Sequence, residues 1–366
     1  MIFVKIFGKE KLSLYVNTDK VLFFPGLNEI RCIAALGVVY YHTIPYNAHN
    51  ILGRSLVTLF FVLSGFLITF LLLKERQEQD GKIDIGFFYL KRILRIWPLY
   101  FLLILVGFII YPLIFEPDFL IVGSDKWWKE ITYYLLFVPN ISTEHIPYAT
   151  QLWSIGIEEQ FYLIWPILVT ILGKRIDVAS WLIILFFLII SFSYHFGQVY
   201  WISIAMKFEG LSSLAMGTLG ACYFFYRREL IKTIYDPIIQ IGTLAVLLTH
   251  FALNIYYPIA NEIIYSCFYI ILILGLATNP RNIIKINNRY MSDIGIMSYG
   301  IYVYHGIVLD TVEFGLRKSS SILASPLESL WLRLIIVITI TVTVSYFSYH
   351  FVEKKIIAFR NYFLTR

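Results

Sequence analysis

Runs of roughly 20 apolar residues recur from end to end of the chain. They fall at 27–45, 54–74, 88–114, 154–172, 179–196, 208–226, 237–254, 261–278, 293–312 and 329–352, separated by short polar or basic stretches. A helix of that length crosses about 30 Å of hydrocarbon, and the runs are continuous, without the period-two alternation of a transmembrane barrel. The pattern predicts an all-α fold, a polytopic membrane helical bundle of about ten transmembrane helices. A shorter apolar patch, Ile131 to Val138, is too short to cross and is expected as an interfacial or re-entrant segment.

Charge orients the pattern. Lys5, Lys9, Lys11 and Lys20 precede the first run, and Lys74, Arg76, Lys82, Lys91 and Arg92 follow the second. Lys174 and Arg175, then Arg227, Arg228 and Lys232, then Arg281, Lys285 and Arg289, and finally Lys354, Lys355 and Arg360 recur on the same side. The positive-inside rule makes that side cytoplasmic, with both termini there. If 131–138 crossed, every later basic loop would change sides. The expected layout is a cytoplasmic segment 1–26, a transmembrane domain 27–353 with a long extracytoplasmic loop 115–153, and a cytoplasmic tail 354–366. Met1 to Lys20 lacks the apolar core and small-residue cleavage site of a signal peptide, so the first run is expected to act as the insertion signal.

Composition agrees with this reading. The 366 residues are 58% hydrophobic and only 15% charged, with a mean hydropathy of +0.72, more apolar than a soluble domain of this size. The net charge of +6 is explained by topology rather than by a nucleic-acid partner. Cys32, Cys222 and Cys267 lie in apolar runs without metal or redox spacing and are expected as packing residues, with no metal bound. No phosphate loop, internal repeat or low-complexity segment is present. With only about a dozen residues after the last run, the chemistry is expected inside the bundle.

Polar residues within the runs are the candidates for that chemistry, because a charge at mid-membrane costs about 2.5–3.5 kcal/mol on insertion scales. Leu27 to His42 reads LNEIRCIAALGVVYYH. Eleven residues separate Arg31 from His42 in register, so they lie within roughly 20° of one face and about 16 Å apart along the axis. In LFFVLSGFL, 59–67, Ser64 and Gly65 either permit close helix approach or form a hydrogen-bonding kink lining the same cavity. YLKRILRIWPLY, 89–100, sets Arg92 and Arg95 on one helical face, suited either to membrane anchoring or to a phosphate-rich cytosolic ligand. In QLWSIGIEEQFYLIWP, 151–166, Glu158 rather than Glu159 shares a face with Tyr162 and Trp165. Ser298, Tyr302 and His305 form a polar stripe in MSYGIYVYH. A satisfied buried histidine is the plainer alternative to a catalytic one there.

Taken together, Arg31 with His42, FFVLSGFL at 60–67, KRILRIWPLY at 91–100, WSIGIEEQFYLIWP at 153–166, SYGIYVYH at 298–305 and a closing Phe351-Val352-Glu353-Lys354 resemble the acyltransferase family 3 membrane proteins. The resemblance covers nearly the whole chain. These are bacterial O-acyltransferases that modify surface polysaccharides, lipopolysaccharide, peptidoglycan or macrolides, with relatives in animals. The closing acidic motif commonly continues to proline, where this chain has Lys355.

The resemblance implies a multi-pass enzyme of the inner (cytoplasmic) membrane, taking an acyl group, usually acetyl, from cytosolic acyl-CoA to a hydroxyl outside. In that picture His42 is catalytic and Arg31 belongs to the same essential pair, while Arg92 and Arg95 face acyl-CoA, with Ser64 assigned to the same donor side. Glu158 is expected to orient the imidazole or to bind sugar, and Glu159, Trp153, Tyr162 and His305 to contact the saccharide acceptor. Some members carry an extracytoplasmic hydrolase-like domain at the C-terminus. The sequence ends without one, which leads us to expect direct transfer to a saccharide hydroxyl, on a lipid-linked unit or at the surface. His42 acts there as general base or as a covalent acyl relay. The rival from another class is an exporter of an envelope precursor using buried Arg, His and Glu as a proton relay.

Overall fold

The computed structural model describes residues 24, 26–44, 51–114, 121–142, 144, 146, 148–197, 200–279, 282, 286–318 and 330–356. Among the expectations, Lys5, Lys9, Lys11, Lys20, Arg281, Lys285, Arg360 and most of the segment 1–26 lie outside the described residues. The described residues are helical, without strands. In chain order the helices are α1 (Leu27–Thr43), α2 (Ile51–Glu78), α3 (Ile85–Leu105, continued by a π-turn Val106–Ile110 and a last turn Tyr111–Ile114), α4 (Asp125–Leu135) and α5 (Leu152–Leu172). There follow α6 (Ile176–Gly197), α7 (Tyr200–Met206), α8 (Gly210–Tyr226), α9 (Arg228–Ile234) and α10 (Pro237–Ala252). The last are α11 (Asn261–Thr278), α12 (Arg289–Ile296), α13 (Ser298–Lys318) and α14 (Leu330–Ser348, ending in a π-turn Tyr349–Glu353).

Each predicted run contains a helix, and among the described residues five stretches, not ten, are long and apolar enough to cross a membrane: Ile51–Glu78, Ile85–Ile114, Leu152–Gly197, Asn261–Thr278 and Leu330–Ile356. Arg228–Ile234 with Pro237–Ala252, bent by 63°, makes a sixth if the pair is one span. The 46-residue stretch Leu152–Gly197 would be about 69 Å long as one straight helix, more than two hydrocarbon thicknesses. It is interrupted where the sequence predicts, by a 3₁₀ turn at Gly173–Arg175 whose first residue has φ +55°. The run 293–312 is divided at Met297 between α12 and α13. Exposed apolar side chains such as Leu182, Leu185, Ile189, Ile335 and Phe347 cover α6 and α14, a surface that suits lipid and not water.

Polar contacts tie the helix ends into two layers. At one end, Arg54 at the start of α2 donates to Glu262 at the start of α11 (2.8 Å) and to Glu209 just before α8 (3.0 Å). The Ile51 amide donates to Asn254 beyond α10. Arg333 of α14 reaches the Thr43 carbonyl at the end of α1 and pairs with Glu313 of α13. At the other end, Asn28 of α1 donates to Ser292 of α12, Arg76 of α2 donates to the Val169 carbonyl of α5 (2.6 Å), and Tyr235 before α10 donates to Thr278 closing α11. The tied helices alternate in direction along the chain, and these ties give polar groups at the helix ends partners within the protein rather than lipid.

The predicted interfacial patch belongs to α4, which packs onto α3. Pro112 has no N–H, so the Phe108 carbonyl four residues earlier loses its helical donor. Trp127 of α4 supplies one, its Nε1 donating to Phe108 O at 2.9 Å. Tyr100 of α3 donates in return to Tyr134 O (2.8 Å).

The centre of the bundle is the crossing of α2 and α8, where small residues bring the backbones together. A Cβ on Gly65 would lie 2.0 Å from the Leu214 carbonyl oxygen, and one on Gly217 would lie 2.1 Å from that of Val62. Thr69 and Thr218 hydrogen-bond across the same seam at 2.8 Å. Gly217→Val is therefore expected to lower the detergent thermal-unfolding midpoint sharply, with overpacking of about 1–3 kcal/mol or more. Gly242→Ala, where the added carbon meets nothing within 4 Å, is expected to leave it unchanged.

Candidate active site

Five helices converge on a cavity of about 270 Å³. Arg31 enters from α1, Ser64 from α2, Arg92 and Arg95 from α3, Glu158 and Tyr162 from α5, and Ser298, Tyr299 and Tyr302 from α13. The three- and four-residue spacings place these polar groups on inward faces, as the sequence predicts. Phe60 and Phe61 of α2 supply apolar walls.

Electrostatics set the cavity apart. Glu158 is held on both oxygens, by Ser64 Oγ (2.8 Å) and Tyr162 OH (3.0 Å). Among the described residues, none of the three arginines has a hydrogen bond or an ion pair, and Arg92 Nε is buried with no acceptor. Arg92 instead lies near the Phe88 and Tyr162 rings, at 5.6 and 5.7 Å. Three guanidinium groups and one carboxylate line the cavity; Arg31 and Arg92 are partly buried with unused donors, while Arg95 is exposed and lies in the field of the buried Glu353 carboxylate. That arrangement is costly unless water or an anion meets it, and planar forks suit phosphate or carboxylate oxygens.

Glu159 points elsewhere, as the helical spacing predicts: its Oε2 accepts from Trp97 Nε1 at 3.0 Å while Oε1 is buried without a partner. Trp153 packs edge-on against Phe61 with ring centroids 6.1 Å apart and does not line the cavity. Ser64 bonds Glu158 in the cavity and Gly65 lies against α8; α2 runs through both as one helix, and His42 is not among the cavity's lining residues.

His42 lies at the far end of α1 from Arg31. Its ring centroid is 5.2 Å from that of His305, and its surface is exposed while His305 is 3% exposed. His305 Nδ1 lies 2.6 Å from the Tyr302 carbonyl oxygen. Tyr302 lines the arginine cavity, and its hydroxyl meets Ser154 Oγ at 2.6 Å. Gln151 Nε2 donates to the Val303 carbonyl at 2.9 Å, locking α13 to the start of α5. A polar seam therefore runs from the arginines through Tyr302 to the two histidines. The structure groups Arg31 and Glu158 with Arg92 and Arg95, and His42 with His305.

Sequence reasoning left three groups unassigned. Tyr299 donates to the Ile96 carbonyl at 2.7 Å and lines the cavity. Gln151 and Ser154 sit inside a quoted motif, but their partners on α13 leave no local signal. Among the described residues no cluster of three or more potential metal ligands occurs.

The profile of the family described as Acyltransferase domain matches residues 24–350. The O-acetyltransferase OatA of Staphylococcus aureus (strain NCTC 8325 / PS 47) is 30% identical over 320 residues, covering 77% of this chain and 50% of that protein. A protein of S. aureus (strain COL), provisionally named as an O-acetyltransferase, is 30% identical over 342 residues, covering 83% of this chain and 53% of its own length. The chain thus spans about half the length of these curated relatives. No solved structure matches.

The two faces of α2 make separable predictions. Ser64→Ala removes one hydrogen bond from Glu158 and leaves the helix crossing intact, so a normally folded protein with several-fold lower activity is expected. Gly65→Val drives a side chain into the Leu214 carbonyl and is expected to abolish the monodisperse peak in size-exclusion chromatography.

Proposed function

This chain belongs to the acyltransferase domain family, and from that premise we propose that it is a membrane O-acetyltransferase. It moves an acetyl group from cytosolic acetyl-CoA to a hydroxyl of a surface or lipid-linked saccharide on the far side of the cytoplasmic membrane. The observation that carries this reading is the cavity with three unpaired guanidinium groups, joined through Tyr302 to His305 and His42. The names of the Staphylococcus relatives support O-acetyl transfer as the reaction.

The proposed membrane arrangement has about ten spans with both termini cytoplasmic, residues 27–353 forming the catalytic bundle and 115–153 lying outside. The basic loops support it, and so do the ties that join helix ends of one parity. On that arrangement Arg92 and Arg95 lie toward the cytoplasm and His42 toward the exterior.

In the mechanism, Arg92, Arg95 and Arg31 grip the phosphates of CoA through forked hydrogen bonds. Glu158, braced by Ser64 and Tyr162, limits the excess positive charge and orients Arg31. Arg31 is assigned to hold the donor, because it shares the cavity of the other arginines and lies about 16 Å along α1 from His42. The pantetheine arm then spans the seam past Tyr302. His42 removes the proton from the acceptor hydroxyl as its oxygen attacks the thioester carbonyl carbon. The tetrahedral intermediate collapses, the C–S bond breaks, and the departing thiolate takes the proton from the imidazolium. The acceptor leaves as its acetyl ester and the donor as free CoA. Trp153, at the outer start of α5, is assigned to the acceptor side, with outer loop 115–153 setting substrate choice, whereas Tyr162 and Glu159, bound to Glu158 and Trp97, are not.

Three outcomes test this reading. Arg95→Ala is expected to raise the apparent KM for acetyl-CoA about tenfold or more, the loss of one charge-assisted contact, and an unchanged KM contradicts the donor assignment. Base catalysis predicts no stable label on wild-type protein after labelled acetyl-CoA is added without acceptor and quenched. Label that disappears in His42→Ala would establish an acyl-histidine relay instead. Surface glycan purified from cells with and without the gene is expected to differ in acetyl esters, not in glycan amount, and loss of the glycan itself would favour an exporter.

A further inference from the structure

His305 is a buried imidazole in an apolar helix, so both ring nitrogens need partners. The Tyr302 carbonyl oxygen, 2.6 Å from Nδ1, can only accept. This network assigns the proton to Nδ1 and leaves Nε2 of the neutral ring as an acceptor. The nearest ring is that of His42, with centroids 5.2 Å apart and planes tilted by 37°. That separation is within reach of a nitrogen-to-nitrogen hydrogen bond, direct or through one water. His42 is exposed and His305 is not, so a substrate meets His42 first and finds His305 behind it.

The support behind His305 is rigid. One turn earlier the Tyr302 hydroxyl is fixed by Ser154 (2.6 Å), and Gln151 Nε2 holds the Val303 carbonyl (2.9 Å). The next residue, Gly306, lies so close to Gln151 that an added Cβ would be 3.0 Å from its Nε2. Helix α13 is therefore pinned to α5 on both sides of His305 in sequence.

We propose that His305 is a positioning residue for His42: its Nε2 accepts the N–H of the His42 ring, holds that ring in one tautomer, and so aims the other His42 nitrogen at the acceptor hydroxyl. A base that must receive a proton on one nitrogen needs the other nitrogen's proton held, the role a carboxylate fills in hydrolase triads. Here a neutral ring in an apolar wall fills it, without adding a buried charge. His305 passes no proton onward in this scheme. The inference rests on His42 being the base, as argued in the preceding subsection.

The test uses membrane vesicles containing the full chain and their endogenous acceptor, with radiolabelled acetyl-CoA as donor and incorporated acetate as readout. His305→Ala is expected to lower apparent kcat about 10- to 100-fold, the usual cost of losing such an outer partner, with KM for acetyl-CoA unchanged. His305→Gln, whose Oε1 accepts but cannot relay a proton, is expected to recover most of the rate. His305→Asn, too short to reach His42, is expected to remain slow, which keeps the comparison informative if the alanine variant does not fold. Wild-type kcat in His305→Ala overturns the proposal, as does a Gln variant no faster than the Asn variant. A raised KM with kcat spared overturns it too, by making His305 a substrate contact. His42→Ala is run alongside. If it remains active, the base assignment itself fails. If it is inactive while His305→Ala is not, only the positioning role fails.

Discussion

Three guanidinium groups that line one cavity, with no hydrogen bond or ion pair among the described residues, are the constraint on which the rest of the structure depends. Arg31, Arg92 and Arg95 face a cavity whose one carboxylate, Glu158, is already held by Ser64 and Tyr162. An isolated charge in hydrocarbon is expensive enough that such groups persist where water or a ligand reaches them. By contrast, Arg54 at the start of α2 is matched by two carboxylates and reads as a fastener between helices. The two arrangements differ in whether the protein itself supplies the arginine's counter-charge.

Packing makes the cavity possible. The glycines on α2 and α8 bring those helices into backbone contact, so Ser64, Phe60 and Phe61 present their side chains from a fixed wall. Gln151 and Ser154 lock α13 against α5, which sets Tyr302 at the cavity and His305 one turn beyond. The site is thus carried on rigid helices and not on loops. Its two ends, an arginine cluster and a histidine pair, are far enough apart to suit a long donor with charge at one end and a reactive group at the other.

Much of this was legible in the sequence because it is local. Helical spacing alone put Arg92 beside Arg95, Glu158 beside Tyr162, and Ser298, Tyr302 and His305 on one stripe; the structure keeps the first two groupings and divides the third, Ser298 and Tyr302 lining the cavity and His305 meeting His42. Continuous apolar runs located the long helices to within a few residues at most ends, including the break at Gly173, but missed the division at Met297 and the short helices α7 and α9. What periodicity could not give were partners far along the chain. Arg54 meets carboxylates 155 and 208 residues away, and the donor for the Phe108 carbonyl comes from a separate helix. Spacing also aligned Arg31 with His42 on one face of α1 without revealing that each joins a different cluster.

The central claim is that the arginine cavity recognises the phosphates of a CoA donor. It is tested most directly by titrating purified protein with CoA and with pantetheine, which has the same arm and thiol but no phosphates. The account predicts that CoA binds at least about a hundredfold more tightly, the worth of two charge-assisted hydrogen bonds, and that the gap narrows as salt is raised. Equal affinity for the two compounds would contradict it.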